Sequence, residues 1–516
     1  MLGSARGSVV LMIGQVVSVI ISAVTLIWLA NVLGSAAFGL YTVALLPVSI
    51  ALLFQDLGMN SSLIRFCSMY RHDEHPEKLK SVVMTGLIFS VLTSLIIGGL
   101  MYFFAGPIAS VFLKHAEVES MVRAASLGVL GSGGLLSTIQ AIFIGYEIMS
   151  LKSITQVLWT ILRTLFSYIL ILTGFGAFGA VLANTSASLL AGLIGVLLLF
   201  LFIKFEQGFK GGFNLKMLRT LLSFGLPLSI GNLLSGVQAQ IYNYIMVLFV
   251  TINLIGNYGA ATNFGVLVSF LTLPISTTLL PLYSRFKKDD HEVKDIFQMA
   301  VKYTAMVTIP VVLVIIVVAA PLSRILYKPE DYPLVPLYLS IYILNFAWEG
   351  LGGISLGNLI TGVGESGTIL LVNIVTFITG IILAILLVPR FGMVGLLVTI
   401  VLDSRGGWIY QILWVKKKMG ITVDWRSSGK IYATALTAFV AAYLLIYILR
   451  LQSWVALLLG TFTYFIIYLF GLPLSGALKV KDLKQLEAIV GTLGPLAPVA
   501  RLILSLMGRF IRNNPS

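Results

Sequence analysis

VVLMIGQVVSVIISAVTLIWLANV, residues 9–32, decides the fold class. It runs without a charged residue for longer than the roughly 20 residues a helix needs to cross a bilayer core. The apolar core of a cleaved signal peptide is only about 7–15 residues, so the run reads as a first membrane helix. Similar runs follow near 38–64, 82–104, 121–147, 153–173, 178–203, 219–250, 254–281, 298–320, 335–362, 366–388, 392–414, 431–449 and 453–473, which predicts about fourteen spans. Barrel strands would be shorter and alternating, and segments this long satisfy their own backbone in lipid only as helices.

The whole chain agrees with that reading. Of 516 residues, 58% are hydrophobic and 10% charged, where a soluble domain carries about a quarter charged. Mean hydropathy is +1.01. The expected fold is an all-α polytopic membrane protein. One cysteine, Cys67, excludes an intrachain disulfide. The net charge of +14 points to topology and not to nucleic acid, because the basic residues lie in short loops between spans.

With the N-terminus on one side, that side receives twenty-six of the 34 Lys and Arg residues, from Arg6 through Lys416, Lys417 and Lys418 to the tail. The other side receives six: Lys114, Arg123, Arg324, Lys328, Arg390 and Arg450. Arg163 and Arg405 fall inside spans. The bias places both termini in the cytoplasm and supports an even number of spans.

The two halves repeat. Phe38-Gly-Leu-Tyr41 matches Ile255-Gly-Asn-Tyr258 at an offset of 217, and Arg65-Phe66 matches Arg285-Phe286 at 220. PIASVFLK (107–114) matches PLSRILYK (321–328) at 214; Gly145 matches Gly362 at 217; Gly176 and Gly179 match Gly392 and Gly395 at 216. Six spans per repeat is an even number, so the repeats run parallel, about an axis along the membrane normal. Two such bundles around a central cleft are an architecture for alternating access. The expected lobes are 1–210 and 211–418, followed by an extra helix pair at 419–475 outside the repeat and a cytoplasmic tail at 476–516.

LANVLGSAAFGLYTVA (29–44), DLGMNSSLIRF (56–66), TGFGAFGA (173–180) and RFGMVG (390–395) together resemble the polysaccharide and oligosaccharide flippases of the multidrug, oligosaccharidyl-lipid and polysaccharide exporter superfamily. The resemblance covers about twelve spans. It implies V-shaped six-helix lobes and a cargo of polyprenyl-(di)phosphate-linked glycan, moved across the cytoplasmic membrane without chemical change. It implies no enzyme activity, cofactor or metal. Fourteen spans fit the polysaccharide and lipid II flippase branches better than the drug exporters. In the lipid II branch the extra pair helps form a groove for the lipid tail, and several arginines stand in the first two helices. Here the first span has no charge and the second only Asp56 before Arg65, which weighs against lipid II. A cation-coupled multidrug or metabolite exporter is the alternative.

Charge within the bilayer is costly and marks candidate function. Arg163 lies about eleven residues beyond Lys152, or ~16 Å along a helix, near mid-membrane. With Arg405 it is expected to hold an anionic phosphate head, for which the planar guanidinium is suited. Glu349 and Asp403 are candidates for coupling to H⁺ or Na⁺. The competing reading is that one of these carboxylates pairs with Arg405 and locks packing. Gln238, Gln240 and Asn243, with Tyr242 and Tyr244, form a polar stripe in the seventh span, fit either to bind sugar hydroxyls or to bond between helices. Asp56, in its DLG motif, is expected to fix a helix end.

Other patterns read as ordinary structure. Gly362-Val-Gly-Glu-Ser-Gly367 follows no strand and is a turn, not a nucleotide loop. His72-Asp-Glu-His75 reads as a solvated loop. Asn60-Ser-Ser62 faces the wrong side for glycosylation. Residues 496–512 are amphipathic and are expected to lie on the cytoplasmic leaflet. A membrane glycosyltransferase would need a larger aqueous loop rich in carboxylates than any present.

Overall fold

The computed structural model describes residues 2–72, 75–203, 212–286, 291–478 and 482. Each of the fourteen predicted spans is helical there, and the described residues contain no strand. The expected tail helix at 496–512 and the Asp73-Glu74 pair lie outside the described residues.

The chain is a multi-pass membrane protein. Nine helices among the described residues are long and apolar enough to cross a membrane, or ten with one bent pair, Leu215–Ser229 and Leu233–Phe249. Two of the nine, Val10–Asp56 and Gly367–Met419, hold two spans each. The first turns at Gly34 (φ 74°) and the second at Gly392 (φ 55°), where only glycine is comfortable. The remaining difference from fourteen comes from spans that are broken midway.

Those breaks are where the helices depart from the sequence expectation. The second span stops at Asp56 and restarts as Met59–His72, with Leu57 and Gly58 at positive φ. The Asp56 carboxylate accepts the Gly58 and Asn60 N–H groups at 3.1 Å, so this residue does fix a helix end. The fourth span passes through a wide π turn, Leu130–Ser137, and the tenth through a tight 3₁₀ segment, Leu344–Leu351, ending at Gly352 (φ 94°). The two irregular stretches are separated by 214 residues at both ends, one of the repeat offsets. The eighth span breaks between Ile252–Thr262 and Gly265–Tyr283, and the twelfth between Leu402 and Arg405.

Two compact units form. One runs from the N-terminus to Asn263 and includes Gly380–Leu396; the other comprises Phe264–Thr379 and the residues from Leu397 onward. The first is centred on Met59, Leu63, Cys67, Ile139, Phe143 and Leu199, the second on Tyr283, Phe297, Leu359 and Val415. Long apolar side chains outside these cores, such as Ile96, Leu165 and Leu201, are exposed, as lipid-facing residues are.

Repeat-related contacts recur. A Cβ on Gly145 would stand 2.7 Å from Cys67 Cβ, and one on Gly362 would stand 2.7 Å from Tyr283 Cβ and 3.1 Å from Ser284 N. Cys67 and Ser284 differ by 217, as do the two glycines. Within the first unit the repeats also meet each other. A Cβ on Gly39 would lie 2.2 Å from Ile252 O, and one on Gly256 would lie 2.0 Å from Ser35 O. Ser35 and Ile252 also differ by 217, as do Gly39 and Gly256. The contact therefore has the reciprocal form of a two-fold interface. The matched phrases FGLY and IGNY carry the glycines that let the backbones touch.

Candidate functional site

The predicted charged residues fall into two groups, one in each unit. Glu349, Asp403 and Arg405 come together. The 3₁₀ segment Leu344–Leu351 frees backbone carbonyls that an α-helix would have bonded, and in lipid such groups need partners. Three side chains supply them. Arg405 Nη2 donates to Asn345 O at 3.4 Å and to Asn345 Oδ1 at 3.3 Å. Trp408 Nε1 donates to Leu351 O at 3.2 Å, and the Tyr432 hydroxyl donates to Ala347 O in a short hydrogen bond. Arg405 Nε also donates to Val401 O at 2.7 Å, and its guanidinium lies 4.2 Å from the Trp348 ring centroid. The twelfth span approaches closely enough because Gly406 and Gly407 pack on Thr376 and Thr379, and Thr379 donates to Asp403 O at 2.7 Å.

The carboxylates do not clamp Arg405 directly: among the described residues it forms no ion pair within 4 Å. They lie within its electrostatic reach. Glu349 accepts the Ile354 N–H and sits over Gly353, where a Cβ would stand 2.6 Å from Oε2. It thus caps the helix Gly353–Gly362 at its positive end.

Arg163 is the opposite case. It stands on Met149–Leu172, well inside the fifth span. Its Nη2 is sealed from solvent with no hydrogen-bond partner, as is the indole N–H of Trp159 one turn earlier. The guanidinium lies 5.1 Å from the Trp159 ring centroid and interacts electrostatically with the buried Tyr41. The helix is held against the first span by a 2.7 Å contact between the Thr25 and Thr164 hydroxyls, and by Ser153 donating to Val10 O at 3.1 Å.

The seventh-span stripe divides. Gln238 is buried and donates to the Tyr242 hydroxyl at 2.7 Å; Asn243 donates to Gln240 Oε1 at 3.3 Å. Tyr244 stacks on Phe112 with centroids 4.3 Å apart. Arg163 makes none of its contacts with this stripe.

Sequence reading missed Tyr432, Asn345, Trp348 and Trp408. Asn345 was visible as a lone amide in an apolar span. Tyr432 was not, because the last helix pair reads as an addition outside the repeat. In the structure that pair is packed into the second unit: besides Tyr432, Tyr468 donates to Met306 O at 3.0 Å. The GVGESG turn is as expected, between helices ending at Gly362 and starting at Ser366.

A profile of the polysaccharide biosynthesis protein family matches residues 4–287, more than half of the chain. The chain belongs to that family. Among similar proteins of this family's kind, a putative O-antigen transporter of Shigella flexneri is 22% identical over 420 residues, covering 78% of this chain and 97% of its own length. Two solved structures share the fold. The lipid II flippase MurJ in an inward closed conformation superposes with a TM-score of 0.71 at 16% identity, over 89% of this chain and 98% of that one. An inward-facing multidrug resistance transporter of the MATE family, from the MOP superfamily, gives 0.62 at 17% identity, over 78% and 94%. The polysaccharide biosynthesis family member described here therefore has the all-helical fold found in both flippases and exporters of that superfamily.

Proposed function

We propose that this protein is a flippase that carries a polyprenyl-(di)phosphate-linked oligosaccharide or polysaccharide precursor across the cytoplasmic membrane. Alternating access would be between lobes 1–210 and 211–418, with 419–475 as an added helix pair, 476–516 as a cytoplasmic tail, and both termini cytoplasmic. Family membership and the similarity to an O-antigen transporter support the cargo class. The observation that carries the reading is Arg163. A cation deep in the bilayer, with a sealed donor left unbonded, is costly by about 1–3 kcal/mol or more. A phosphate that reached it would supply the missing acceptor, in a charge-assisted bond. Gln240 and Asn243, half-buried and bonded only weakly to each other, are the amides best placed to exchange that bond for sugar hydroxyls.

A cation-coupled exporter is the second reading. Its support is the shared fold with a multidrug transporter and the Glu349–Asp403–Arg405 group, where uptake of H⁺ or Na⁺ by a carboxylate would alter the charge beside Arg405.

Reconstituted flipping of a fluorescent polyprenyl-diphosphate glycan tests the first reading. Flipping by the wild type that falls with Arg163→Met is the expected result. No flipping, with ion-driven efflux of a soluble cation, favours the exporter.

A further inference from the structure

Away from both charged groups, the second unit contains a cavity of about 430 Å³ at one membrane boundary, where the helix His291–Leu326 ends beside the turn joining Trp425–Leu449 to Ser453–Leu474. Two arginines line it, Arg324 in the last turn of the first helix and Arg450 at the end of the second. Both are exposed, and among the described residues neither has a hydrogen bond or ion pair. No carboxylate lines the cavity.

Two further features favour an anion. Ser453, the first residue of a 22-residue helix, faces the cavity, and no side chain caps that helix start. Its free N–H groups add positive potential to that of the arginines. Arg450 holds its position with φ 45° and ψ 44°, a left-handed backbone that costs a residue with a side chain about 1 kcal/mol or more. A solvent-facing turn would ordinarily place glycine or asparagine there.

The rest of the lining is not that of a site for a free ion. Val317 and Ile446 form an apolar floor, and Tyr443 and Tyr447, 49% and 72% exposed, flank it at the level where aromatic residues meet lipid headgroups. An occupant with a phosphate at one end and hydrocarbon at the other would match both parts.

We propose that this cavity binds the headgroup of an anionic, phosphate-bearing lipid, held by Arg324 and Arg450 with its chains along Tyr443 and Tyr447. On the orientation proposed above, this is a lipid of the outer leaflet, and the leaflet assignment alone rests on that reading.

The test is binding to the purified full-length protein in detergent, so it stands or falls independently of transport. Dioctanoyl phosphatidylglycerol, dioctanoyl phosphatidylcholine and inorganic phosphate are titrated separately. The double variant Arg324→Gln/Arg450→Asn removes both charges, with asparagine chosen because it accepts the left-handed backbone. Arg390→Gln, on the same side of the membrane, is the control for lost charge. The expected result is saturable binding of phosphatidylglycerol that weakens about tenfold or more in the double variant, one decade being 1.4 kcal/mol, and is unchanged in the control. An equal melting temperature of the unliganded variants shows that folding is intact. Binding that is equal in all three proteins, or absent in the wild type, overturns the proposal. Inorganic phosphate binding as tightly as the lipid overturns the lipid assignment and leaves a simple anion site.

Discussion

Arg163 and Arg405 are both arginines within membrane spans, and the sequence offers the same role for each. Their surroundings differ. Arg405 donates to Val401 O and to both oxygens of Asn345, lies on the Trp348 ring, and shares its region with Glu349 and Asp403. Arg163 has an aromatic face and an unbonded, sealed donor. The second unit uses its arginine to repair a broken helix. The first unit keeps its arginine unpaired at an energetic cost. Midspan charge marks a region that matters, but hydrogen-bond accounting separates a structural cation from one held ready for a ligand.

The largest effect expected on this view is at Arg163. Replacing it with methionine removes one charge-assisted bond to the cargo, worth about 1.5–3 kcal/mol, so transport in the reconstituted assay should fall on the order of ten- to a hundredfold. Arg163→Lys should recover only part of that, because an ammonium lacks the bidentate fork.

Arg405→Met should act on stability instead. It strips donors from the Asn345 and Val401 oxygens, and unfolding in detergent should show a loss of roughly 2–3 kcal/mol. A stable Arg405→Met protein that cannot transport would break the contrast and return Arg405 to the ligand site.

Tyr432→Phe sharpens the same point on a smaller scale. It removes only the hydroxyl that reaches Ala347 O, and about 1 kcal/mol of stability should go with it. A loss of that size would establish that the last helix pair helps hold the tenth-span break in place.

The smallest effect is at the membrane surface. Asp424 caps the helix Trp425–Leu449, accepting the Ser427 N–H at 3.1 Å. Burial raises the affinity of its carboxyl for a proton, but hydrogen bonds from Ser427 and Arg426 and the nearby Lys302 ammonium outweigh this and hold it below the ordinary carboxylate value. Its contribution is therefore present above the ordinary carboxylate range and lost as pH falls through its lowered value. Asp424→Ala should lower the melting temperature slightly at neutral pH, and the gap from wild type should close in acid.

How much of this was legible in the sequence depended on the kind of signal. The spans were, because lipid demands long apolar helices, and the repeat was, because close backbone contacts such as Gly39 with Gly256 leave glycines in register. The Gln238–Tyr242 pair was legible in principle from its one-turn spacing. The helix breaks were not. LNFAWEGL has no proline to stop a helix, and its 3₁₀ geometry depends on donors from Arg405, Trp408 and Tyr432, which lie 50 or more residues away in the chain. Nor did apolar patterning separate Arg163 from Arg405, since pairing is a property of the packed neighbours and not of the span.

The most direct test of the central claim is to measure both stability and flipping for Arg163→Met alone. The account predicts a protein as stable as the wild type or more so, since a buried unbonded donor has been removed, with flipping of the diphosphate-linked glycan reduced at least about tenfold. A variant that unfolds more readily, or one that flips at the wild-type rate, would contradict it.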